Sequence, residues 1–231
     1  MSSDIEVGVV AVDRAGRVRW SHASAGKLRF PEAKRSGVAS GLRLVLEAPI
    51  PPEEYQIRLA VIERTRGLAG SVVLDVDVKE ASNAGAVTAL VFVQEGDNVP
   101  TTGNAAVLKS LLPSTPPTTR RRFSASQRFS VFAALSPSPT VARPIEVTLV
   151  VIRDDGSEAL RLPAVPAVAH QVGKASALGA LMTLPTDALA PGSYRLYVAV
   201  HDGRRTVASA PIAFSLEPVS GNRVMSGRRP R

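Results

Sequence analysis

Two stretches of this chain carry one strand pattern about 140 residues apart. Ile5-Glu6-Val7-Gly8-Val9-Val10-Ala11-Val12 aligns with Ile145-Glu146-Val147-Thr148-Leu149-Val150-Val151-Ile152, an offset of 145 − 5 = 140, and a following glycine keeps that spacing, Gly16 against Gly156. Farther along, Pro52 to Val61 aligns with Pro191 to Val200 at an offset of 191 − 52 = 139. In both copies a Pro-containing turn delivers a tyrosine, Tyr55 or Tyr194, that opens an alternating strand. A near-constant spacing at two distant places predicts two copies of one fold. Each tyrosine is expected to bury its ring while its hydroxyl bonds backbone at a sheet corner.

The local pattern is that of strands. Val7, Val9 and Ala11 alternate up to Asp13-Arg14-Ala15-Gly16, a hairpin turn, and Val18 and Trp20 resume beyond it. Leu42 to Glu47, Tyr55 to Val61 and Val72 to Val78 alternate likewise, with Asp75 and Asp77 on the polar side of the last. A period of two sends one set of side chains inward and the other to water, as in an antiparallel sheet buried on one face. Ala-rich 164–181 fits strand or helix. The prediction is all-β: two tandem antiparallel sandwiches resembling immunoglobulin or fibronectin type III modules.

The copies differ in completeness. Phe123, Phe129, Val131 and Phe132 supply a further strand before Ile145, and subtracting 140 carries them ahead of residue 1. The first module is therefore expected to lack its opening strands and to expose an edge open to self-association. The expected boundaries are module 1 at 1–80, a linker at 81–85, and module 2 at 86–217. Module 2 opens on Val87, Ala89, Val91 and Val93, with a polar loop at 96–104 and a Pro-rich connector at 113–119. A disordered basic tail is expected at 218–231.

The formal net charge of +8 raises the question of nucleic acid. Residues 1–80 hold 12 basic and 11 acidic groups, and 81–231 hold 16 and 9. Eight of those 16 are Arg120, Arg121, Arg122 and Arg128 in a connector and Arg223, Arg228, Arg229 and Arg231 in the tail. Aromatic residues make up only 4%, so a basic stripe interleaved with stacking rings is missing and no nucleic-acid partner is expected. With no cysteine, disulfides, thiolate metal sites and cysteine nucleophiles are excluded. No apolar run approaches the ~20 residues of a membrane helix, so no membrane insertion is expected.

The segment order resembles the C-terminal β-rich region of bacterial von Willebrand factor A-related proteins. The matching pieces are Pro52 to Val61, Gly70 to Val78, Ala86 to Val93, Leu111-Leu112-Pro113 through Arg121 to Gln127, and Ala190 to Leu196. The resemblance implies a secreted or envelope protein in which a type A domain precedes these modules. The Asp-x-Ser-x-Ser metal loop of that domain is absent here, so no metal site carries over. It also implies no chemistry for the β-modules.

The residues themselves assign no catalytic, cofactor-binding or metal-ligating role, and a non-enzyme is expected. Ser24-Ala25-Gly26-Lys27 matches a bare Ser-x-x-Lys pattern without its partner motifs. His22 and His201 are expected just past strand ends and His170 in a loop, all solvated; adjacent His201 and Asp202 point apart. Asp75 and Asp77 at i, i+2 are a minimal calcium pattern, but Arg64, Arg66 and Lys79 are plainer partners. Glu53 and Glu54 belong to the Pro-led turn, facing solvent. The leading expectation is a protein-contact or domain-spacing module, whose partner is a protein or an upstream domain. The alternatives are a glycan-binding module using Trp20 and Tyr197, and a hydrolase using the loop carboxylates Asp154, Asp155 and Asp187.

Overall fold

The computed structural model describes residues 2–29, 43–78, 86–94, 99, 101–102, 112, 117–136, 144–172, 175–203 and 206–218. The expected linker at 81–85 and all but Pro218 of the expected tail lie outside the described residues. The chain forms two compact units, Met1–Ser82 with Gly96–Pro113, and Asn83–Glu95 with Ser114–Arg231. Residues 96–113, inside the span expected for the second module, thus group with the first.

Four long strands build the first unit: β1 (Ser2–Asp13), β2 (Val18–Arg29), β4 (Glu54–Glu63) and β5 (Leu68–Asp77). They lie in the order β2-β1-β4-β5, and every neighbouring pair is antiparallel. Two hairpins thus meet along β1 and β4. Gly16 closes the first at φ 78°, where a residue with a Cβ is strained. A two-residue β3 (Arg43–Leu44) pairs in parallel with β7 (Thr101–Thr102), inside the stretch expected to be a loop.

The second unit is a two-sheet sandwich. Its first sheet contains β6 (Val87–Gln94), β8 (Pro117–Thr118), β10 (Phe129–Leu135), β14 (Val168–Val172) and β15 (Ala175–Leu184), ordered β14-β15-β10-β6-β8. Its second contains β9 (Arg122–Ser124), β11 (Glu146–Arg153), β12 (Glu158–Arg161), β16 (Gly192–His201) and β18 (Ile212–Glu217), ordered β12-β11-β16-β18-β9. Short β13 (Val165–Pro166) adds to β11, and β17 (Thr206–Ala208) to β16. Val131, Ala133 and Met182 of the first sheet meet Leu149, Leu196 and Phe214 of the second in one buried core. Pro117 sits at a sheet edge, where its missing N–H costs no ladder bond.

The structure departs from one expected strand and decides one open assignment. The single strand expected over Phe123–Leu135 is two, β9 and β10, placed in different sheets on either side of an Ala125–Ser126 turn. The ambiguous 164–181 stretch is strand throughout its described secondary structure, β13, β14 and the start of β15. Helix is confined, among the described residues, to one 3-10 turn at Thr186–Ala188.

The repeat is visible in three dimensions. Strands β2-β1-β4-β5 of the first unit correspond in order to β12-β11-β16-β18 of the second. Both tyrosines open their strands as expected: the Tyr55 hydroxyl donates to the Pro51 carbonyl at 2.8 Å, and that of Tyr194 to Ala190 at 2.6 Å. Both rings are buried. Beyond this shared sheet the units diverge, because only the second places another sheet of comparable size over it among the described residues.

That divergence predicts unequal sensitivity at equivalent positions. Leu196 is fully buried and its counterpart 139 residues earlier, Ile57, is half-buried. Leu196→Ala should cost about 2–5 kcal/mol, and Ile57→Ala about half of that or less, by urea denaturation. In β15, a Cβ on Gly179 would lie 2.4 Å from the Phe132 ring, so Gly179→Ala should destabilise the second unit by about 1–3 kcal/mol in the same assay.

Candidate interaction surface

The shared sheet has one apolar face in each unit. In the first unit, His22, Val9, Leu59 and Val72 form one row across the four strands, and Trp20, Ala11, Ile57 and Leu74 form the next. The corresponding second-unit residues of the two central strands are Leu149, Val198, Val151 and Leu196, each 0% exposed. Val9 and Ala11 in the first unit are also buried, but Val72 is 60% and Leu74 58% exposed. The open part of the face therefore lies along β5. Leu68, at the start of that strand, is exposed as well.

The opposite face carries charge, arranged in opposed pairs. A groove there is lined by Arg14, Glu54, Gln56, Arg58, Asp75 and Asp77. Arg14 and Glu54 form an ion pair, and the guanidinium pKa of Arg14 is raised first by Glu54 and further by Asp77 and Glu53. Gln56 donates to Asp75 at 3.3 Å. The partners expected for Asp75 and Asp77 are elsewhere: Arg64 binds Glu6 at 2.6 Å and Arg66 binds Glu63 at 3.1 Å, at the far end of the β4–β5 hairpin. Lys79 lies outside the described residues. Among the described residues no group of three or more His, Asp or Glu side chains is arranged to hold a metal ion.

Carboxylates also tie the turns. Buried Asp13 accepts from the N–H groups of Ala15 and Arg17, both at 2.9 Å, and from the Arg17 side chain at 2.8 Å. Hydrogen bonding from the Arg17 backbone leads the causes that hold its pKa below the ordinary value. At the β4–β5 turn, Glu63 accepts from the Thr65 and Arg66 N–H groups at 3.1 and 2.9 Å. Burial pushes the Glu63 pKa up, but the bonds from Thr65 and Arg66 outweigh it and the net shift is down. Asp155 does the same work in the β11–β12 turn, accepting from Ser157 N–H at 2.8 Å. Its neighbour Asp154 is exposed, and Asp187 is exposed in the 3-10 turn. These three acids occupy two separate turns.

The histidines stand in strands. His22 is within β2, its ring stacked on Trp20 with centroids 6.1 Å apart. His170 is within β14, edge-on to Phe132 at 6.2 Å. His201 ends β16 and shares a 2.9 Å hydrogen bond with Thr206. Each is half-buried, because in a pleated strand alternate residues face the sheet surface and pack on their neighbours. Ser24 and Lys27 both belong to β2, so the Ser-x-x-Lys pattern is extended, and Lys27 faces Asp4 at 3.7 Å. Trp20 and Tyr197 are half-buried and lie in different units. Of the connector arginines, Arg121 lies 4.7 Å over the Phe92 ring and donates to the Arg120 carbonyl at 2.9 Å.

Among the described residues no helix is long and apolar enough to cross a membrane. No protein-family model matches the chain, and no curated protein is significantly similar to it.

Two predictions follow from the turns and corners. The folded pKa values of Asp13 and Glu63 are lowered, so their stabilisation is complete above the usual carboxylate range and drains away as pH falls through the lowered values. Melting temperature should be flat near neutrality and fall at acid pH, and Asp13→Asn should both lower it at neutrality and shallow the acid slope. Tyr194→Phe leaves the Ala190 carbonyl without its donor and should cost about 1 kcal/mol in denaturant titration.

Proposed function

We propose that this chain is a non-catalytic interaction region that works through protein contact, its first unit presenting an apolar sheet face to a partner protein or neighbouring domain. The observation that carries this reading is the contrast between equivalent faces. Leu196 and Val198 are sealed in the second unit, whereas their counterparts Ile57 and Leu59 are only half-buried in the first. Beside them on β5, Val72 and Leu74 are more than half exposed, while Ile212, the second-unit counterpart of Leu74, is half-buried. Exposed apolar surface on a soluble domain costs free energy of order 25 cal/mol per Å², and a docked partner recovers it.

Strand order supports an immunoglobulin-like reading of the second unit. The four strands β6-β10-β15-β14 facing β12-β11-β16-β18 follow the arrangement of an immunoglobulin sandwich with one extra edge strand. Tyr194, at the start of the penultimate long strand with its hydroxyl on backbone four residues upstream, fits the tyrosine corner of that fold. Such sandwiches are widespread as spacing and recognition modules. A place beside a type A domain in a von Willebrand factor A-related envelope protein suits this architecture.

A photo-reactive amino acid at position 72 or 74 tests the proposal in the source cell. Discrete protein adducts are expected, and Leu74→Lys with position 72 labelled should abolish them while leaving the circular dichroism spectrum unchanged. The glycan-binding alternative predicts instead no protein adducts and a saturable change in Trp20 fluorescence on adding envelope polysaccharide. Adducts that persist in Leu74→Lys would also sink the reading.

A further inference from the structure

Strand β5 is the edge of its sheet, pairing with β4 alone among the described strands. It is exposed at nine of its ten residues. Its counterpart β18 has its outer side closed by β9, through the parallel pairs Ser215–Arg122, Leu216–Phe123 and Glu217–Ser124. Phe123 there is 1% exposed. A long bare edge offers a row of N–H and C=O groups to any extended chain, and natural sheets blunt such edges with charge or proline. The opposite edge, β2, carries Arg19 and Lys27 within its length, whereas β5 has neither a charge nor a proline from Leu68 to Leu74.

We infer that β5 pairs antiparallel with β5 of a second copy of this chain, about a two-fold axis at Ser71. This rests on the interaction reading above and names its partner. Ladder geometry selects the centre. The Val78 N–H donates to Glu53 at 3.0 Å, and antiparallel ladders alternate between residues bonded to the neighbour and residues turned away. Counting back from Val78, the even-numbered residues of β5 bond β4, while Ala69, Ser71 and Val73 turn their N–H and C=O groups outward. A two-fold at Ser71 sets Ser71 against its own copy and Ala69 against Val73, so the six outward groups on each copy join those of the other in six hydrogen bonds.

The same register satisfies the side chains. A two-fold perpendicular to the sheet keeps each residue on its own face, placing Leu68 opposite Leu74 and Gly70 opposite Val72. Leu68, Val72 and Leu74, each 55–60% exposed, then cover one another across the seam. The acidic end of each strand, Asp75 and Asp77, runs alongside the Arg64–Arg66 turn of its mate, whose two arginines already bind Glu6 and Glu63. The product is a continuous eight-stranded sheet whose remaining edges are the cation-bearing β2 strands.

A cysteine scan tests this on the full chain, which has no native cysteine. Ser71→Cys places two thiols on facing residues of a hydrogen-bonded pair, with Cα atoms about 5.5 Å apart, within disulfide reach. Under mild oxidation it should give a covalent dimer at least about tenfold faster than Ser21→Cys on the opposite edge. Light scattering should show wild-type mass rising toward a dimer with concentration, and Val73→Pro should hold it at the monomer. The Val73 N–H turns away from β4, so this proline leaves the sheet's own ladder whole. A wild-type chain that stays monomeric, or Ser71→Cys crosslinking no faster than Ser21→Cys, overturns the dimer. If adducts to other proteins at position 72 or 74 persist alongside either result, the interaction reading survives and only the self-pairing falls.

Discussion

The hydroxyl of a tyrosine, bonded to the carbonyl four residues before it, pins the start of the principal strand in each unit. Once Tyr55 and Tyr194 are held at Pro51 and Ala190, the alternation of β4 and β16 has no freedom left, because a one-residue slip would turn every apolar side chain to the wrong face. The antiparallel partners follow from that phase. Tyr55 stands opposite Asp13 and Tyr194 opposite Arg153, each the last residue of its strand before a glycine-closed hairpin. Corner, register and turn are thus one arrangement used twice.

What differs is what lies over the sheet. In the second unit β6, β10 and β15 supply apolar faces that close on β11 and β16, and a ring cluster of Phe92, Phe123, Phe129, Phe214 and Tyr194 fills one end. Phe123 and Phe129 stack with centroids 4.1 Å apart, although their strands belong to different sheets. Interlocking of this kind makes sandwich interiors intolerant of volume changes. The first unit keeps the sheet and its corner, while the outer strand of the same face meets solvent. The two units therefore share a frame and differ in their surfaces.

Much of the frame was legible in the residues. Alternation located β1, β4, β5 and β6, the 139–140 offset identified the corresponding strands, and Asp13 to Gly16 with its counterpart Gly156 located the β1–β2 and β11–β12 turns. Other features are set by contacts distant in sequence. Arg64 and Arg66 lie near Asp75 in the chain, but a ten-residue strand carries the aspartates to the far end of the hairpin, leaving Glu6 and Glu63 as partners. The division of Phe123–Leu135 between two sheets depends on a turn that Ser124 and Gln127 secure at 2.8 Å, which carries no strong glycine or proline signal. Histidines read as solvated are in strands because imidazole packs well against rings such as Trp20 and Phe132. The open face along β5 is invisible to periodicity, since Val72 and Leu74 alternate as well as any buried pair.

The parallel pairing of β9 with β18 has a mechanical meaning. Opposed loads applied at Arg122 and Glu217 pull the two strands in opposite directions along their common axis. Their ladder bonds are then loaded together in shear, and none can open ahead of its neighbours as it would in a peeled hairpin. Phe123, locked among the other rings, adds a side-chain latch to the same slip plane. The two strands can therefore slide past one another only if their ladder bonds and the ring packing of Phe123 give way together.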